Sequence, residues 1–485
     1  MKPVYDPMMK RSVDSEAMVP YWDKVDAIID GVDGMRMQHQ FLPKFTDEAD
    51  SEYMFRLQMT KMTNVYRDII EGLASKPFEQ NVTFPDDQSD TEGGKTPQDI
   101  VDFSYDVDGS GNDLTVFAAT TFFNGINSAI DWIMVDYPKA DPTVVSVADQ
   151  KAAGRRPYWS HILGRNVLDA RSEMKNGVEV LTYVKIFEPG APDCIREFTR
   201  NSDGTVIWVL YERKDTPVRE EGKPDTFFHE IDRGDVSIGE IPMVPFYTGR
   251  RDGRSWKLFP AMQDAADLQV ELYQQESGLK FAKVLTAYPM LAANGISPPS
   301  DAAGRPTKLA VGPNRVLYSK PGADGKIGTW SYVEPNAESL KFLADDIAST
   351  IQNLRELGRQ PLTASSSNIT VITAAVAAGK AKSAVKAWAY KLKDAIENAL
   401  LLTAKWKGIP YDPSVHVFVD FDDWMEGEDL PFLQEARKTQ QISQETYWEE
   451  AARRGVFSTN FTVARERARL LNDVPVEDTG PDTNI

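Results

Sequence analysis

Two long helical stretches bracket a segment dense in proline and glycine, and no other feature limits the possible folds of this chain as much. Residues 260–287, with Phe259 just before them, carry Met262, Leu268, Leu272, Leu279 and Val284 as one stripe, closed by Pro289. Residues 337–358 carry Leu340, Leu343, Ile347, Ile351 and Leu354 at three- and four-residue steps. Gly358 and Pro361 end that second stretch. Between the two, residues 291–335 run through NGISPPSDAAGRP, VGPN and KPGADGKIG, with short strand-like pieces RVLYS and TWSYVE. A helix over 260–287 is about 42 Å long at 1.5 Å per residue. The pair with its insertion therefore reads as a stalk with a tip, a shape that a compact enzyme rarely needs.

The rest of the chain supplies a mixed α+β framework. Residues 15–75 read as mostly helical, with Tyr53, Leu57, Val65, Ile69, Ile70 and Leu73 at helical spacing. Thr46, Asp47 and Glu48 offer a helix start, and Lys76-Pro77 a stop. Residues 84–113, rich in Asp, Gly, Ser and Pro, read as a surface excursion around a short helix, and 114–135 as helical again. Residues 155–250 alternate short β-rich runs with turn residues such as Asn201-Ser202-Asp203-Gly204, which predicts an antiparallel sheet. A third long, alanine-rich helix runs from about Thr373 to Lys407 and stops at Gly408 and Pro410. The polar connector TASSSNIT precedes it, with no large side chain between Leu362 and Ile369. Residues 420–485 predict two more helices, the first capped by Ser443 and stopped by Gly455, before a disordered VPVEDTGPDTNI.

Charge narrows the functional classes. The 485 residues hold 54 Lys+Arg against 73 Asp+Glu, a formal net charge of −19. Such a chain does not grip nucleic acid over a broad basic surface. Residues 420–485 hold 15 acidic and 7 basic side chains, whereas 379–393 hold five lysines (Lys380, Lys382, Lys386, Lys391, Lys393) and no acid. A single cysteine, Cys194, excludes a disulfide framework and any multi-thiolate metal site. The four histidines, His39, His161, His229 and His416, show no ligand spacing. No apolar run approaches the length of a membrane span, and the first residues lack a secretory pattern. Synthesis in a reducing cytoplasm is the expectation.

Familiar chemical motifs fail on their own requirements. Gly93-Gly94-Lys95-Thr96 lacks the earlier glycine of a phosphate loop, since Ser89 stands there. Asp106-Val107-Asp108-Gly109-Ser110-Gly111 begins like a calcium loop, but its twelfth position is Phe117 rather than glutamate. Cys194 at a strand start reads as a packed thiol. His161 in YWSHIL and His229 in FFHEID, flanked by aromatics, read as structural, and Trp388 and Tyr390 read as core. No catalytic residue, metal or cofactor is assigned.

Phe41 to Glu79, FLPKFTDEADSEYMFRLQMTKMTNVYRDIIEGLASKPFE, resembles a stretch of one portal family, the head–tail connectors of tailed bacteriophages. There a Leu-Pro segment and an acidic pair precede a Tyr-x-x-Arg-Leu helix that ends in Gly-Leu and Lys-Pro-Phe. VDYP at 135–138 and RPYW at 156–159 resemble further signposts of that family, and the order of elements is similar through to the tail. The resemblance implies a portal fold assembled as a ring, usually of twelve copies, at one capsid vertex. Its parts would be a wing over 1–255 (helical 15–135, β-rich 155–250), stem helices over 256–290 and 337–360, and a clip over 291–336. A tunnel loop over 361–373, a long wing helix with return strand over 374–419, and an acidic crown with tail over 420–485 would follow. Thr363, Ser365, Ser366, Ser367, Asn368 and Thr370 would face DNA, with Lys380, Lys382 and Lys386 as candidate channel lysines. The implied partners are further copies of the chain, the major capsid protein, terminase, tail adaptor proteins and double-stranded DNA in transit, with no membrane and no cofactor. The implied location is the virion. Another virion ring or adaptor component, or an acidic cytosolic enzyme, are the alternatives.

Overall fold

Residues 6–85, 96–138, 155–219, 224–287, 290–294, 305, 328–333, 337–357, 371–419, 429–439, 441–453, 461 and 463–472 are described by the structure, a computed structural model. The chain divides into two units, Met1–Val419 and Asp420–Ile485. Helix and sheet are mixed in the first unit, so the fold is α+β.

Helix α1 (Val13–Ile29) starts where the Ser12 side chain accepts from the Ser15 amide, with Asp14 and Glu16 favourably placed in its first turn. Met18, Tyr21, Trp22, Val25 and Ile28 form its buried face. After the short α2 (Val32–Met37), the expected single helix over the Tyr53–Leu73 stripe is two helices. These are α3 (Asp50–Met59) and α4 (Val65–Ser75). The break has a local cause, because the Asn64 side chain accepts from the Arg67 amide and caps a new helix. The start expected at Thr46–Glu48 falls at Asp50 instead, because Glu48 turns its carboxylate inward.

Helix α5 (Gln98–Ser104) is the short helix of the excursion, and Asp113 caps α6 (Leu114–Ser128). The helix expected to continue to 135 does not. Ala129 turns left-handed at φ +67°, and Ile130–Asp136 form strand β1. β1, the central strand of a three-stranded sheet, is buried along nearly its whole length. β2 (Tyr158–Leu163) pairs antiparallel on one side of it and β8 (Met243–Tyr247) on the other.

Between β2 and β8 lies the predicted antiparallel sheet, a five-stranded meander. It comprises β3 (Val167–Lys175), β4 (Val178–Glu188), β5 (Cys194–Arg200), β6 (Val206–Val218) and β7 (Thr226–Asp235) in chain order. Leu168, Ile195 and Phe228 make a buried cluster on it, covered by Met8, Met9, Phe187 and Tyr211. The short β9 (Arg250–Arg251) and β10 (Leu258–Phe259) pair with each other before the long helices begin.

Helix α7 (Gln263–Ala287) leads into strand β11 (Met290–Asn294), which pairs with β12 (Thr329–Val333) in the register Met290↔Val333. Helix α8 (Ala337–Leu357) follows. An antiparallel ribbon joins the two helices, so α7 and α8 run antiparallel, and Gln275 Nε2 on α7 donates to Asp346 Oδ2 on α8 at 2.9 Å. The predicted strand RVLYS lies outside the described residues. Helix α9 (Val371–Lys407) ends at Gly408, whose φ of +67° suits a glycine. It packs on β8 and β1 through Val385, Trp388, Leu392, Ile396 and Leu400. Tyr390, expected in the core, is 48% exposed, because it faces away from that buried stripe.

The second unit holds α10 (Asp429–Lys438), α11 (Gln444–Arg453) and α12 (Val463–Asn472), three helices where the sequence pattern predicts two. Ser443 caps α11 as expected, accepting from the Thr446 amide at 3.0 Å. The stop expected at Gly455 lies outside the described residues.

Candidate functional site

The motif residues of Phe41–Glu79 build a clamp on α7. Arg56 Nε donates to Glu48 Oε1 at 2.8 Å, and Nη2 donates to Glu48 Oε2 at 2.7 Å and to the Pro43 carbonyl at 2.9 Å. Both side chains are nearly sealed from solvent, at 2% and 4% exposure. The guanidinium lies over Phe45 at 4.0 Å and Tyr53 at 5.4 Å from the ring centroids. Arg56 hydrogen bonds, before any other influence, hold the Glu48 carboxyl below its ordinary range. Tyr53 donates to the Leu42 carbonyl at 3.0 Å, closing the Leu-Pro turn onto the helix. Thr60 Oγ1 then meets Ser277 Oγ of α7 at 2.8 Å. Gln269 of α7 accepts from the Tyr66 amide at 2.9 Å and donates to the Thr63 carbonyl at 3.0 Å. Gln274 donates to the Phe41 carbonyl at 2.9 Å. These bonds are directional, so they fix the rotation of α7 as well as its position.

The other two signposts clamp the C-terminal half of α9. Trp159 of β2 donates from Nε1 to Thr403 Oγ1 at 2.8 Å, and Trp406 Nε1 donates to the Val135 carbonyl at 3.1 Å. Tyr137 stacks on Trp406 at 5.6 Å. Tyr158 donates to Asp136 Oδ2 at 3.0 Å, and Arg196 bridges Asp136 at 3.2 Å and Glu188 at 2.7 Å. Arg156 pairs with Asp106, so the calcium-like turn is tied to a protein cation. On the same helix Lys391 lies 4.7 Å over the Tyr247 ring, and desolvation lowers its ammonium below the ordinary lysine value.

The α7–α8 pair leaves part of its apolar surface uncovered. Leu340, Leu343, Ile347 and Ile351 are only half-buried in the single chain, and Phe342 is 71% exposed. On α7 the buried face is Ala265, Ala266, Gln269, Leu272, Tyr273 and Ser277, while the expected stripe residues Leu268, Leu279 and Val284 are half-buried. The buried face of α7 thus mixes small and polar residues with Leu272, Tyr273 and, just before the helix, Met262, and the remaining stripe residues are only partly covered.

Thr363, Ser365, Ser366, Ser367, Asn368 and Thr370 lie outside the described residues. Lys380 and Lys382 fall within α9, with side chains outside the description, and Lys386 on the same helix is half-buried. His161 stacks on Phe117 at 3.8 Å and reaches buried Asp131 at 3.2 Å, and His229 is half-buried against the Thr216 carbonyl. Burial raises the Cys194 thiol above its ordinary value. Among the described residues, no group of three or more His, Cys, Asp or Glu could hold a metal ion, and no helix is long and apolar enough to cross a membrane.

The chain resembles the tailed-phage portal family in these motif residues and in the order of its elements. A family model described as a domain of unknown function (DUF4055) matches residues 261–407, the stretch holding α7, the β11–β12 ribbon, α8 and α9. No curated protein matches the chain. Among solved structures, a chain from the neck of an empty GTA particle computed with C6 symmetry is similar at TM-score 0.43 and 10% identity. The match covers 81% of this chain and 90% of that one. A chain from the virion of a native gene transfer agent particle is similar at TM-score 0.37 and 11% identity, covering 93% of this chain and 99% of that one. A chain from the neck of a native GTA particle computed with C12 symmetry is similar at TM-score 0.38 and 11% identity, covering 79% and 88%.

Proposed function

We propose that this chain is a structural component of a tailed-phage-like virion and, more specifically, the portal subunit. Copies would form a ring at one capsid vertex through which double-stranded DNA enters and leaves. The observation that carries this reading is the flank of α8, where Phe342 is 71% exposed beside a half-buried stripe of Leu340, Leu343, Ile347 and Ile351. A monomer leaves few such stripes uncovered, and repetition of one heterologous contact closes a ring. The clamps of Arg56 and Trp159 support the same reading, because helices that line a conduit must hold a fixed orientation in every copy.

In this reading the α7–α8 pair is the stem, the ribbon of β11 and β12 belongs to the clip at its tip, and α9 is the long wing helix. The acidic unit 420–485 is the crown. Twelve copies would carry 12 × −19 = −228 charges. An acidic lumen would not hold DNA by counterion release, so the duplex could slide. Ser365, Ser366 and Ser367 touch phosphates without gripping them, and Lys380, Lys382 and Lys386 add a weak positive ring. Terminase docks on the clip during packaging, and tail adaptor proteins replace it afterwards. The major capsid protein surrounds the ring. The chain itself has no catalytic role. Phe342→Glu tests the reading. It should leave the circular dichroism of the monomer unchanged and abolish ring assembly. Normal rings from Phe342→Glu would show that the α8 flank is not the subunit interface.

A further inference from the structure

We propose that a basic pocket between the α1–α2 turn and the segment joining α3 to α4 binds an oxyanion of the phosphate type. The pocket offers about 370 Å³ and is lined by Gly31, Arg36, Thr60, Lys61, Asn64 and Arg67 among others, none of them acidic. Three cations around one space stand out in a chain with 19 more acids than bases.

Backbone carbonyls, more than carboxylates, fix the two guanidinium groups. Arg36 donates to the carbonyls of Leu57, Gln58 and Thr60 at 3.3, 2.8 and 2.9 Å. Arg67 donates to the carbonyl of Ile29. Carbonyl dipoles orient a guanidinium without cancelling its charge, so the pocket is held in place while staying electropositive. Asp33 is the carboxylate on Arg36, at 3.2 Å and with a 79% exposed side chain, and Asp68 beside Arg67 is engaged with Arg355 at 3.2 Å. Arg67 Nε is buried and has no hydrogen-bond partner. Gly31 has a φ of +78°, and a Cβ there would stand 3.1 Å from Arg67 Nη2, so glycine keeps the space before that guanidinium clear. Lys61 is exposed at the rim. Three cations converging from different elements suit a tetrahedral group with several charged oxygens better than a planar carboxylate. The source of that group is either free phosphate or the backbone of a nucleic acid, and the site does not depend on ring assembly.

The test is calorimetric titration of the full-length chain, in phosphate-free buffer of low ionic strength, with inorganic phosphate, acetate and a short DNA duplex. Phosphate should bind saturably and acetate should not compete. Lys61→Glu, at an exposed position, should keep the native circular dichroism and weaken binding about tenfold or more. Lys10→Glu makes the same change in net charge at a distant exposed site and should leave binding unchanged. If the duplex binds and Lys61→Ala lowers the slope of log K against log salt by about 1, the phosphate belongs to nucleic acid. If only inorganic phosphate binds, with the same loss in Lys61→Glu, the ligand is a small phosphate. No saturable binding, equal binding of acetate, or equal losses in Lys61→Glu and Lys10→Glu would each overturn the proposal.

Discussion

Replacing Arg56 with methionine tests the clamp on α7 most sharply. The substitution keeps an apolar stem of similar reach and removes the charge. Glu48, 4% exposed in its side chain, is then left with the Phe45 amide at 2.9 Å as its remaining donor. Breaking one side of a buried, hydrogen-bonded ion pair costs about 3–5 kcal/mol, because the surviving charge stays desolvated. Removing both charges restores most of that, since a buried pair is worth little more than apolar residues of the same volume. The unit Met1–Val419, treated as one cooperative block, has an unfolding entropy of about 0.9 kcal/mol per K at ~2.1 cal/mol/K per residue. Arg56→Met should therefore lower the melting temperature by about 3–6 °C in scanning calorimetry, and Arg56→Met with Glu48→Gln by clearly less. Amide exchange should quicken around 269–277, where Gln269 and Ser277 meet the clamp. A loss below about 1 kcal/mol in the single variant, or no recovery in the double, would refute the reasoning.

The same carboxylate predicts a pH effect. Arg56 holds the Glu48 carboxyl below its ordinary value of 4.5, so the folded state binds that proton more weakly than the unfolded state. The stabilisation is complete above the ordinary value and disappears as pH falls through the folded one. The stability gap between the wild type and Glu48→Gln, followed by urea titration from about pH 6 to about pH 3, should narrow; a constant gap would show that Glu48 is not the titrating group. Trp159→Phe removes the donor to Thr403 and leaves a small void, so it should destabilise the first unit by about 1–3 kcal/mol in denaturant titration. Bulky residues at Ser365–Ser367 should impair DNA packaging in an in vitro assay and spare ring formation, and loss of rings would mark the loop as an assembly element.

The long helices were legible because their signals are local. The stripes, Pro289, Gly408 and the Ser443 cap all lie within a few residues of what they determine. The α6–β1 boundary was not legible, since the apolar run continues through it and a left-handed alanine gives no glycine signal. What makes Ile130–Asp136 a strand is its pairing with β2 and β8, and β8 lies more than a hundred residues away. The break between α3 and α4 was signalled only by Asn64, inside a stripe whose period continues across it. The helix α10, which precedes the Ser443 cap, escaped notice because Pro431 near its start reads as a break. The motif residues were visible as letters, but their pairing was not. Glu48 and Arg56 are eight positions apart, with Glu48 before the helix, so no helical spacing links them. Gly31, Lys61 and Arg67 come together only through the packing of α1, α2 and α4.

The central claim is that the α8 flank around the exposed Phe342 is covered by a neighbouring copy in a closed ring. Negative-stain electron microscopy of the purified chain, paired with its mass in solution, tests it most directly. The account predicts rings with a central hole and a mass near twelve copies of 54.2 kDa. A monodisperse monomer that stays monomeric with added capsid protein, and shows no projecting helical stem, would contradict it.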